Sequence, residues 1–379
     1  MDLFDVYPIY NITPIKAKGV YVYDSFNNKY LDLYGGHAVI SIGHNNNRYI
    51  KSITNQINKI GFYSNAINNP LQKKLANLLG KISNCDNYQL FLCNSGAEAV
   101  ENALKVASFH TNKAKVIAFK NSFHGRTSAA LSVTDNKKII SKLNLQHKVI
   151  FLEYNDIKSL EKEFLKNDVC AIIFESIQGV GGLNEPSNNF VIKMNELCKK
   201  YKVCLIADEV QSGFSRTGDF FAFQKHLITP DIITMGKGMG NGFPVSGILI
   251  NKVIKSKHGM LGSTFGGNHL ACAASIAVLN EIKNKDLQKK SKILGNYFIN
   301  EAKKIKEIKK IKGRGLMLGI EFEFEVNSLR KNLIYNYKIF TGGSSNKFLL
   351  RLLPPLTVKK THLDYFFKSL KKAINDIKK

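Results

Sequence analysis

The segment YQLFLCNSGAEAVENALKVASF (residues 88–109) changes its hydrophobic period midway, without an intervening loop. Residues 88–94 form a short apolar run, which is typical of a buried strand. From residue 95 onward, small and apolar side chains recur on one face at helical spacing: Ala97, Val100, Leu104 and Ala107. A strand that leads directly into a helix predicts an α/β fold, in which helices cover a mainly parallel sheet.

The same alternation continues along the chain. Further short apolar runs, with helical patterns between them, lie at residues 115–123, 149–155, 169–176, 203–210, 231–235 and 245–250. Six or seven such strands are enough for one doubly wound domain. We assign this large, mainly parallel sheet domain to residues 48–255.

The two ends of the chain have a different pattern. VYVYDSFNNKYLDLYGGH (20–37) alternates around an Asn-Asn turn, as a β-hairpin does. GLMLGIEFEF (315–324) and KFLLRLLPPL (347–356) are short strands between long helical patterns. We expect residues 1–47 and 256–379 to pack together as a smaller α+β domain beside the large one.

The chain of 379 residues has a net charge of +26, from 55 lysine and arginine and 29 acidic residues. Such an excess is compatible with a nucleic-acid or membrane-surface partner. However, the lysines are dispersed, tryptophan is absent, and arginine stands only at positions 48, 126, 216, 314, 330 and 351. Nucleic-acid binders concentrate cations on one face and interleave aromatic side chains. We therefore favour a lysine-rich solvated surface over a nucleic-acid or membrane binder.

The six cysteines lie mostly in apolar runs and include no CxxC pair. This pattern favours buried thiols in a reducing compartment over a disulfide framework or a metal site. The N-terminus lacks the cationic start of a signal peptide, and no apolar run approaches the roughly 18 residues of a membrane span. We expect a soluble, cytoplasmic protein without a metal site.

Ligands of open α/β sheets bind at the carboxyl ends of the strands, and four short segments follow such ends. The first, Asn94–Glu98, begins a helix with small residues. Its exposed backbone N–H groups and the helix dipole suit an anion such as phosphate. Taken alone, the segment is better explained by an ordinary N-cap at Ser95 than by a phosphate site.

Two more segments place ionisable residues at strand ends. Asp208 and Glu209 end an apolar strand but alternate between its faces, so we do not expect them to act as an acid and base pair. Lys237 stands in TMGKGMGNG (234–242), where glycines let the backbone approach a ligand closely. The spacing does not match a phosphate-binding P-loop. A solvated strand end and a solvent-exposed lysine are the alternatives.

The fourth segment, Ser122–Thr127, contains Phe123, His124 and Arg126. In a chain that uses lysine almost everywhere, a retained arginine indicates a position that needs a planar fork, such as a carboxylate site. Arg351, inside an apolar run, similarly predicts a buried carboxylate, either of the protein or of a ligand. His124 alone is more often a structural histidine than an acid or base.

Together, the four segments and Arg351 supply the groups that pyridoxal phosphate chemistry uses. The phosphate binds a helix N-terminus, the ring stacks on an aromatic side chain, the pyridinium nitrogen pairs with an aspartate, and the aldehyde forms a Schiff base with a lysine. We therefore predict pyridoxal 5'-phosphate as the cofactor.

Long motifs then suggest a family: SGAEAVENALKVA, FHGRT, ADEVQSGFSRTG, PDIITMGKGMGNGFPVSG and GSTFGGNHLACAAS. They resemble class III aminotransferases, and among these the acetylornithine, succinylornithine and ornithine group. The resemblance runs nearly end to end. It implies the fold-type I architecture of pyridoxal-phosphate-dependent transferases and a homodimer with shared active sites.

The resemblance also implies roles at the cofactor. Lys237 would be the Schiff-base lysine and the base that shuttles the proton, and Asp208 would hold the pyridine nitrogen protonated. Gln211 would bond the ring hydroxyl, and Phe123 would stack on the ring. Phosphate contacts would come from three residues, the last of them reaching into the neighbouring subunit: Gly96, Ala97 and Thr264.

Roles at the substrate follow in the same way. Arg126 would bind a carboxylate of the acylated ornithine, and Ser263 would lie near the substrate. Arg351 would bind the α-carboxylate of glutamate or 2-oxoglutarate, with Glu175 as its partner when that site is empty. Two departures from relatives, Val180 in place of a carboxylate and Asn45–Asn47 in place of a His-Pro pair, are expected to line the substrate mouth.

The resemblance implies transfer of the terminal amino group of N-acetylornithine or N-succinylornithine to 2-oxoglutarate, in arginine biosynthesis. The alternatives are ornithine or 4-aminobutyrate transamination, or another activity of class III enzymes. The substrates would be small amino acids and 2-oxo acids.

Overall fold

The computed structural model describes residues 1–378, and its first sheet begins with the N-terminal hairpins. Strands β1 (Pro14–Lys18), β2 (Tyr21–Asp24) and β3 (Lys29–Asp32) pair in antiparallel fashion. The carboxylate of Asp24 holds the turn between β2 and β3 by accepting from the backbone N–H groups of Phe26 and Asn28, at 3.0 and 2.8 Å. Asn27 adopts a positive φ of 61° there. The predicted Asn-Asn hairpin is confirmed.

A seven-stranded sheet forms the centre of the molecule. Its strands are β4 (Tyr88–Cys93), β5 (Lys115–Phe119), β6 (Val149–Leu152), β7 (Val169–Glu175), β8 (Cys204–Asp208), β9 (Ile232–Met235) and β10 (Ser246–Asn251). They lie in the order β4-β10-β9-β8-β7-β5-β6, and only β10 runs against the others. The large, mostly parallel sheet is confirmed, and the carboxyl ends of six strands share one edge.

Helices cover both faces of this sheet, as the alternating pattern predicts. The helix Gly96–Thr111 buries small side chains such as Ala99 and Ala103 against the strands, which lets it pack closely. From residue 47 to residue 284, the other α-helices span Asn47–Ile57, Pro70–Ser83, Ser128–Ser132, Ile157–Leu165, Asn188–Tyr201 and His269–Asn284. Both β7 and β8 are buried along their whole length, so their carboxyl ends are the most enclosed part of the edge.

The C-terminal third adds β11 (Lys310–Arg314), β12 (Met317–Glu321), β13 (Ile339–Phe340) and β14 (Leu349–Leu352). Three of them form the sheet β11-β12-β14, whereas β13 pairs in parallel with β3 of the N-terminal sheet. The helices of this part are Leu287–Ala302, Asn327–Tyr335 and Lys360–Lys378. The β3–β13 pairing joins the two chain ends, and the domain bounds, 48–255 and 1–47 with 256–379, stay a prediction.

All six cysteines are buried and free. Across residues 1–378, no helix is long and apolar enough to cross a membrane. In the same residues, no group of histidine, cysteine and acidic side chains is arranged to hold a metal ion.

Candidate active site

A cavity of about 300 Å³ opens at the shared carboxyl edge of the central sheet. Most of the residues predicted for the site line it. The lining residues are Gly96, Ala97, Phe123, His124, Gly125, Arg126, Glu175, Val180, Asp208, Val210, Gln211 and Lys237. The sheet therefore brings segments from β4, β5, β7, β8 and β9 to one place.

One wall of the cavity is the N-terminus of the helix Gly96–Thr111. Ser95 caps this helix, since its Oγ accepts from the N–H of Glu98 at 3.2 Å. The Glu98 carboxylate in turn accepts from the backbone and side chain of Asn94, at 2.9 and 3.0 Å. Gly96 and Ala97, the first residues of the helix, line the cavity. The N-cap and the anion cradle are thus compatible, because the cap engages a later N–H than those of Gly96 and Ala97.

Asp208, at the end of β8, is buried and held on both oxygens. Its Oδ2 lies 2.6 Å from His124 Nδ1, and its Oδ1 accepts from Val210 N at 3.0 Å and Thr234 Oγ1 at 2.9 Å. Burial acts to raise the pKa of Asp208, but the hydrogen bond and charge of His124 outweigh it and hold the pKa below its ordinary value. Asp208 is therefore a fixed, ionised carboxylate in the cavity.

Lys237 follows β9 and faces the same cavity. Its φ of 42° lies in the left-handed region that lysine rarely adopts. Burial lowers the pKa of Lys237, and the negative charges of Asp208 and Glu175 only partly oppose this effect. No hydrogen bond or ion pair of its ammonium group is found within residues 1–378. The amine is thus available for chemistry and easier to deprotonate than a surface lysine.

Glu175 ends β7 beside Asp208. Its two oxygens accept from the backbone N–H groups of Phe123 at 3.1 Å and Gly179 at 2.9 Å. Burial raises the pKa of Glu175 to about 7, against the opposing charge of His124. The carboxyl group is therefore more easily protonated than an exposed glutamate, and it is anchored by the backbone.

The expected ion pair between Glu175 and Arg351 is wrong for this structure. The Arg351 guanidinium donates instead to the Gly179 carbonyl, to Gln211 Oε1 at 3.2 Å and to Tyr34 Oη at 3.2 Å. Glu175 binds the N–H of the same Gly179. Both side chains thus bond the backbone of Gly179 and do not meet each other. A buried arginine is expected to meet a carboxylate of the protein or of a ligand, and no protein carboxylate contacts Arg351 within residues 1–378.

Arg126 and Phe123 lie at the mouth of the cavity. Arg126 is exposed, and no ion pair of its guanidinium is found in the described part of the chain. Val180 lines the cavity, as expected, so the position at which the family resemblance implies a carboxylate does reach the site. The cavity therefore has one free arginine at its entrance and an apolar wall at Val180.

The expectation that Asn45–Asn47 line the substrate mouth is wrong. They line a separate surface hollow with Lys18 and Lys285. The physical reason is helix capping: Asn46 accepts from Arg48 N and Tyr49 N at the start of the helix Asn47–Ile57. Its amide also donates to Glu281 at 2.9 Å.

Ser263 and Thr264 do not reach this cavity within one chain. Ser263 lines a different surface hollow and accepts from Asn94 Nδ2 at 3.3 Å. Thr264 is exposed. Their predicted roles in phosphate and substrate binding across a dimer stay a prediction.

Sequence reasoning missed three residues at the site. The sequence alone favours a structural role for His124, but its contact with Asp208 places it in the charge network. Thr234 and Tyr34 were not singled out. Thr234 lies on β9 and is paired with Asp208 on the neighbouring strand β8. Only a correct pairing of these two strands could have placed Thr234 at the site. Tyr34 precedes a Gly-Gly pair, and nothing in that pattern connects it to Arg351.

Comparison with known proteins identifies the family of the chain. The model of class-III aminotransferases matches residues 6–374. Acetylornithine aminotransferase of Aquifex aeolicus is 40% identical over 365 residues, covering 92% of this chain and 93% of that protein. The same enzyme of Archaeoglobus fulgidus is 38% identical over 356 residues, covering 92% of both.

A solved structure has the same fold over nearly the full length. It is the ornithine aminotransferase of Toxoplasma gondii, with partial occupancy of PLP at its active site, and superposes with a TM-score of 0.90 at 29% identity. The match covers 98% of this chain and 93% of that one. With the family model and the curated relatives, it shows that this chain belongs to the class-III aminotransferases.

Proposed function

We propose that this pyridoxal-phosphate-dependent aminotransferase moves the terminal amino group of N-acetylornithine to 2-oxoglutarate. The products are the semialdehyde of N-acetylglutamate and glutamate, a step of arginine biosynthesis. The observation that carries the proposal is one cavity that combines Lys237, Asp208 with His124, and the free Arg126 at its entrance. The names of the most similar relatives support this choice of substrate.

The residues of the cavity fit pyridoxal phosphate. The helix start at Gly96 and Ala97 suits the phosphate, and Phe123 offers an aromatic face for the ring. The ionised Asp208 suits a protonated pyridine nitrogen, and its orientation is held by His124 and Thr234. When bound, the cofactor supplies an electron sink for negative charge at the substrate carbon.

Lys237 moves the proton in this proposal. Its pKa is lowered by burial, so a larger share of its amine is neutral at physiological pH than for a surface lysine. A neutral amine can take a proton from the substrate carbon. With the cofactor bound, the resulting ammonium would deliver that proton to the cofactor side rather than back to the substrate carbon. Asp208 and Glu175 face the ammonium and stabilise its charge.

Two arginines bind carboxylates in this proposal. Arg126, free at the mouth, binds the α-carboxylate of the acylated ornithine, while Arg351 binds the α-carboxylate of 2-oxoglutarate. Val180 places no negative charge in the cavity wall, so this wall does not repel an anionic acyl group. N-succinylornithine is therefore also expected as a substrate.

We further propose a cytoplasmic homodimer with shared sites. Ser263 and Thr264 do not line the cavity of their own chain and are partly or fully exposed, as residues that serve a partner's site must be. The six buried, free thiols suit a reducing compartment.

The choice of amino donor is tested by steady-state kinetics with 2-oxoglutarate and four donors: N-acetylornithine, N-succinylornithine, ornithine and 4-aminobutyrate. We expect the two acylated ornithines to have kcat/KM values at least about tenfold above the others. Free ornithine would bring a charged α-ammonium close to Arg126, which acylation removes, and 4-aminobutyrate is one carbon shorter between its amino group and its carboxylate. A higher kcat/KM for ornithine or 4-aminobutyrate would contradict the proposal.

A further inference from the structure

Arg351 is a buried cation that has only neutral partners. Its side chain lies on β14, and the residue is 3% exposed. Nη1 donates to the Gly179 carbonyl and to Gln211, whereas Nη2 donates to the hydroxyl of Tyr34. No carboxylate lies within ion-pair distance of it in residues 1–378. A buried charge without a counter-ion is costly, so the site is poised for an anion.

The guanidinium keeps two donors for such an anion. It has five N–H groups, and three acceptors use three of them. Nε is buried without a partner, and one N–H of Nη2 also remains. Two donors on neighbouring nitrogens match the two oxygens of a carboxylate.

Tyr34 decides which donors remain, because it is the acceptor at Nη2. The Tyr34 hydroxyl lies 2.5 Å from His37 Nδ1, and the two rings are 4.7 Å apart. The ring also lies beneath Arg351, with the guanidinium carbon 5.7 Å from its centroid. Gly342 makes room for the ring, since a Cβ there would collide with it. The Tyr34 side chain is thus held at its hydroxyl by His37 and at its ring by Arg351 and Gly342.

His37 reaches Tyr34 through an unusual turn. Gly35, Gly36, His37 and Ala38 all have positive φ, between 54° and 67°. A left-handed conformation costs roughly 1–2 kcal/mol for each residue other than glycine, which here means His37 and Ala38. Asp32 holds the entry of the turn by accepting from the N–H groups of Tyr34 at 2.9 Å and Gly35 at 2.7 Å. Gln211 also donates to the His37 carbonyl at 3.4 Å, which ties the turn to the acceptors of Arg351.

We propose that Tyr34, held by His37, is a positioning residue that orients Arg351 so that Nε–H and one Nη2–H stay free for the α-carboxylate of the 2-oxo acid. The inference rests on the proposed function for the identity of that acid. In this proposal the neutral hydroxyl of Tyr34 keeps Arg351 in place when no substrate is bound. The family resemblance implies Glu175 for that role. The N-acetylornithine step, which uses Arg126, depends on Tyr34 much less.

The test is calorimetric binding of glutarate to the holoenzyme, because this dicarboxylate has neither an amino nor a keto group and cannot react. Tyr34→Phe keeps the ring beside Gly342 but removes the acceptor at Nη2. We expect the Kd for glutarate and the KM for 2-oxoglutarate to rise about tenfold, the effect of losing one hydrogen bond to a charged group. The single-turnover rate with saturating N-acetylornithine is expected to change far less.

Tyr30→Phe is the matched control. Tyr30 lies on β3 near Tyr34, and its hydroxyl bonds Asp24 at 3.0 Å, away from Arg351. It should leave the glutarate Kd unchanged. His37→Asn is a second variant: asparagine tolerates the left-handed conformation but is too short to hold the Tyr34 hydroxyl, so glutarate binding should weaken in the same direction.

Equal glutarate affinity in Tyr34→Phe and the wild type would overturn the inference, as would wild-type protein that does not bind glutarate. An equal fall in the N-acetylornithine step would also overturn it, since the defect would then be general. If N-acetylornithine is not a donor but glutarate affinity still depends on Tyr34, the proposed substrate fails and the inference stands.

Discussion

At the scale of single residues, Lys237 combines three properties that a surface lysine lacks. Its backbone is left-handed, its pKa is lowered by burial, and its ammonium group has no protein partner in residues 1–378. Backbone strain of this kind persists only where the surrounding structure enforces it, and it concentrates at functional sites. The chain turns tightly at Lys237 after β9, and the glycines on both sides of Lys237 in the sequence are consistent with such a turn.

Lys237→Ala is expected to abolish the visible absorbance of the purified holoenzyme and to lower kcat by about 10²–10⁴-fold or more, because the base at the substrate carbon is lost. Absorption spectra and turnover assays measure both effects. Lys289→Ala, an exposed lysine on the helix Leu287–Ala302, serves as the control and should change neither. A yellow, active Lys237→Ala protein would contradict the assignment.

At the scale of elements, the start of the helix Gly96–Thr111 is set by close packing. A Cβ on Gly96 would lie 2.6 Å from Val210 Cγ1, and Val210 itself lines the cavity. Glycine is therefore required where the helix N-terminus meets the segment after β8. The sequence pattern predicts the helix but not this contact.

Gly96→Ala is expected to push Val210 into the cavity and to weaken pyridoxal phosphate binding about tenfold, since overpacking costs roughly 1–3 kcal/mol. Equilibrium titration of the apoenzyme with the cofactor measures the change. The double variant Gly96→Ala/Val210→Ala removes the clash and should recover most of the affinity. Wild-type cofactor affinity in the single variant would contradict the prediction that close packing of Gly96 against Val210 is needed for cofactor binding.

At the scale of the whole molecule, one surface is unusually apolar. Phe62 and Phe265 pack in a tilted arrangement with ring centroids 5.3 Å apart, and both are exposed, as are Tyr63 and Ile67 nearby in the chain. Exposed apolar patches of this kind indicate a protein interface. The patch adjoins Thr264, which the dimer proposal assigns to the partner's site.

Phe265→Asp is therefore expected to shift the protein from dimer to monomer and to weaken cofactor retention, because a buried charge at an interface is costly. Sedimentation velocity measures the oligomeric state. Phe26→Asp is the matched control, since Phe26 is also exposed but lies in the β2–β3 turn. A dimeric Phe265→Asp protein, or a monomeric wild type, would contradict the proposed assembly.

The arrangement of strands and helices was predictable from sequence because each element depends on neighbours within a few residues. All seven strands of the central sheet coincide with the apolar runs, and Lys237, Asp208 and Gly96 stand where those runs end. A strand end and its following glycines are local features, and parallel strands bring their ends to one edge. The cavity and most of its lining follow from that rule.

Which side chains meet across the cavity was decided only by tertiary packing. His124 and Asp208 are 84 residues apart in sequence, and Tyr34 and Arg351 are 317 apart. No local pattern shows that Arg351 binds Tyr34 rather than Glu175, or that Asn46 caps a helix away from the site. A long side chain can bond any of several groups, and its partners are those that lie within hydrogen-bond distance. Only the packing of the two chain ends against the central sheet determines which groups these are.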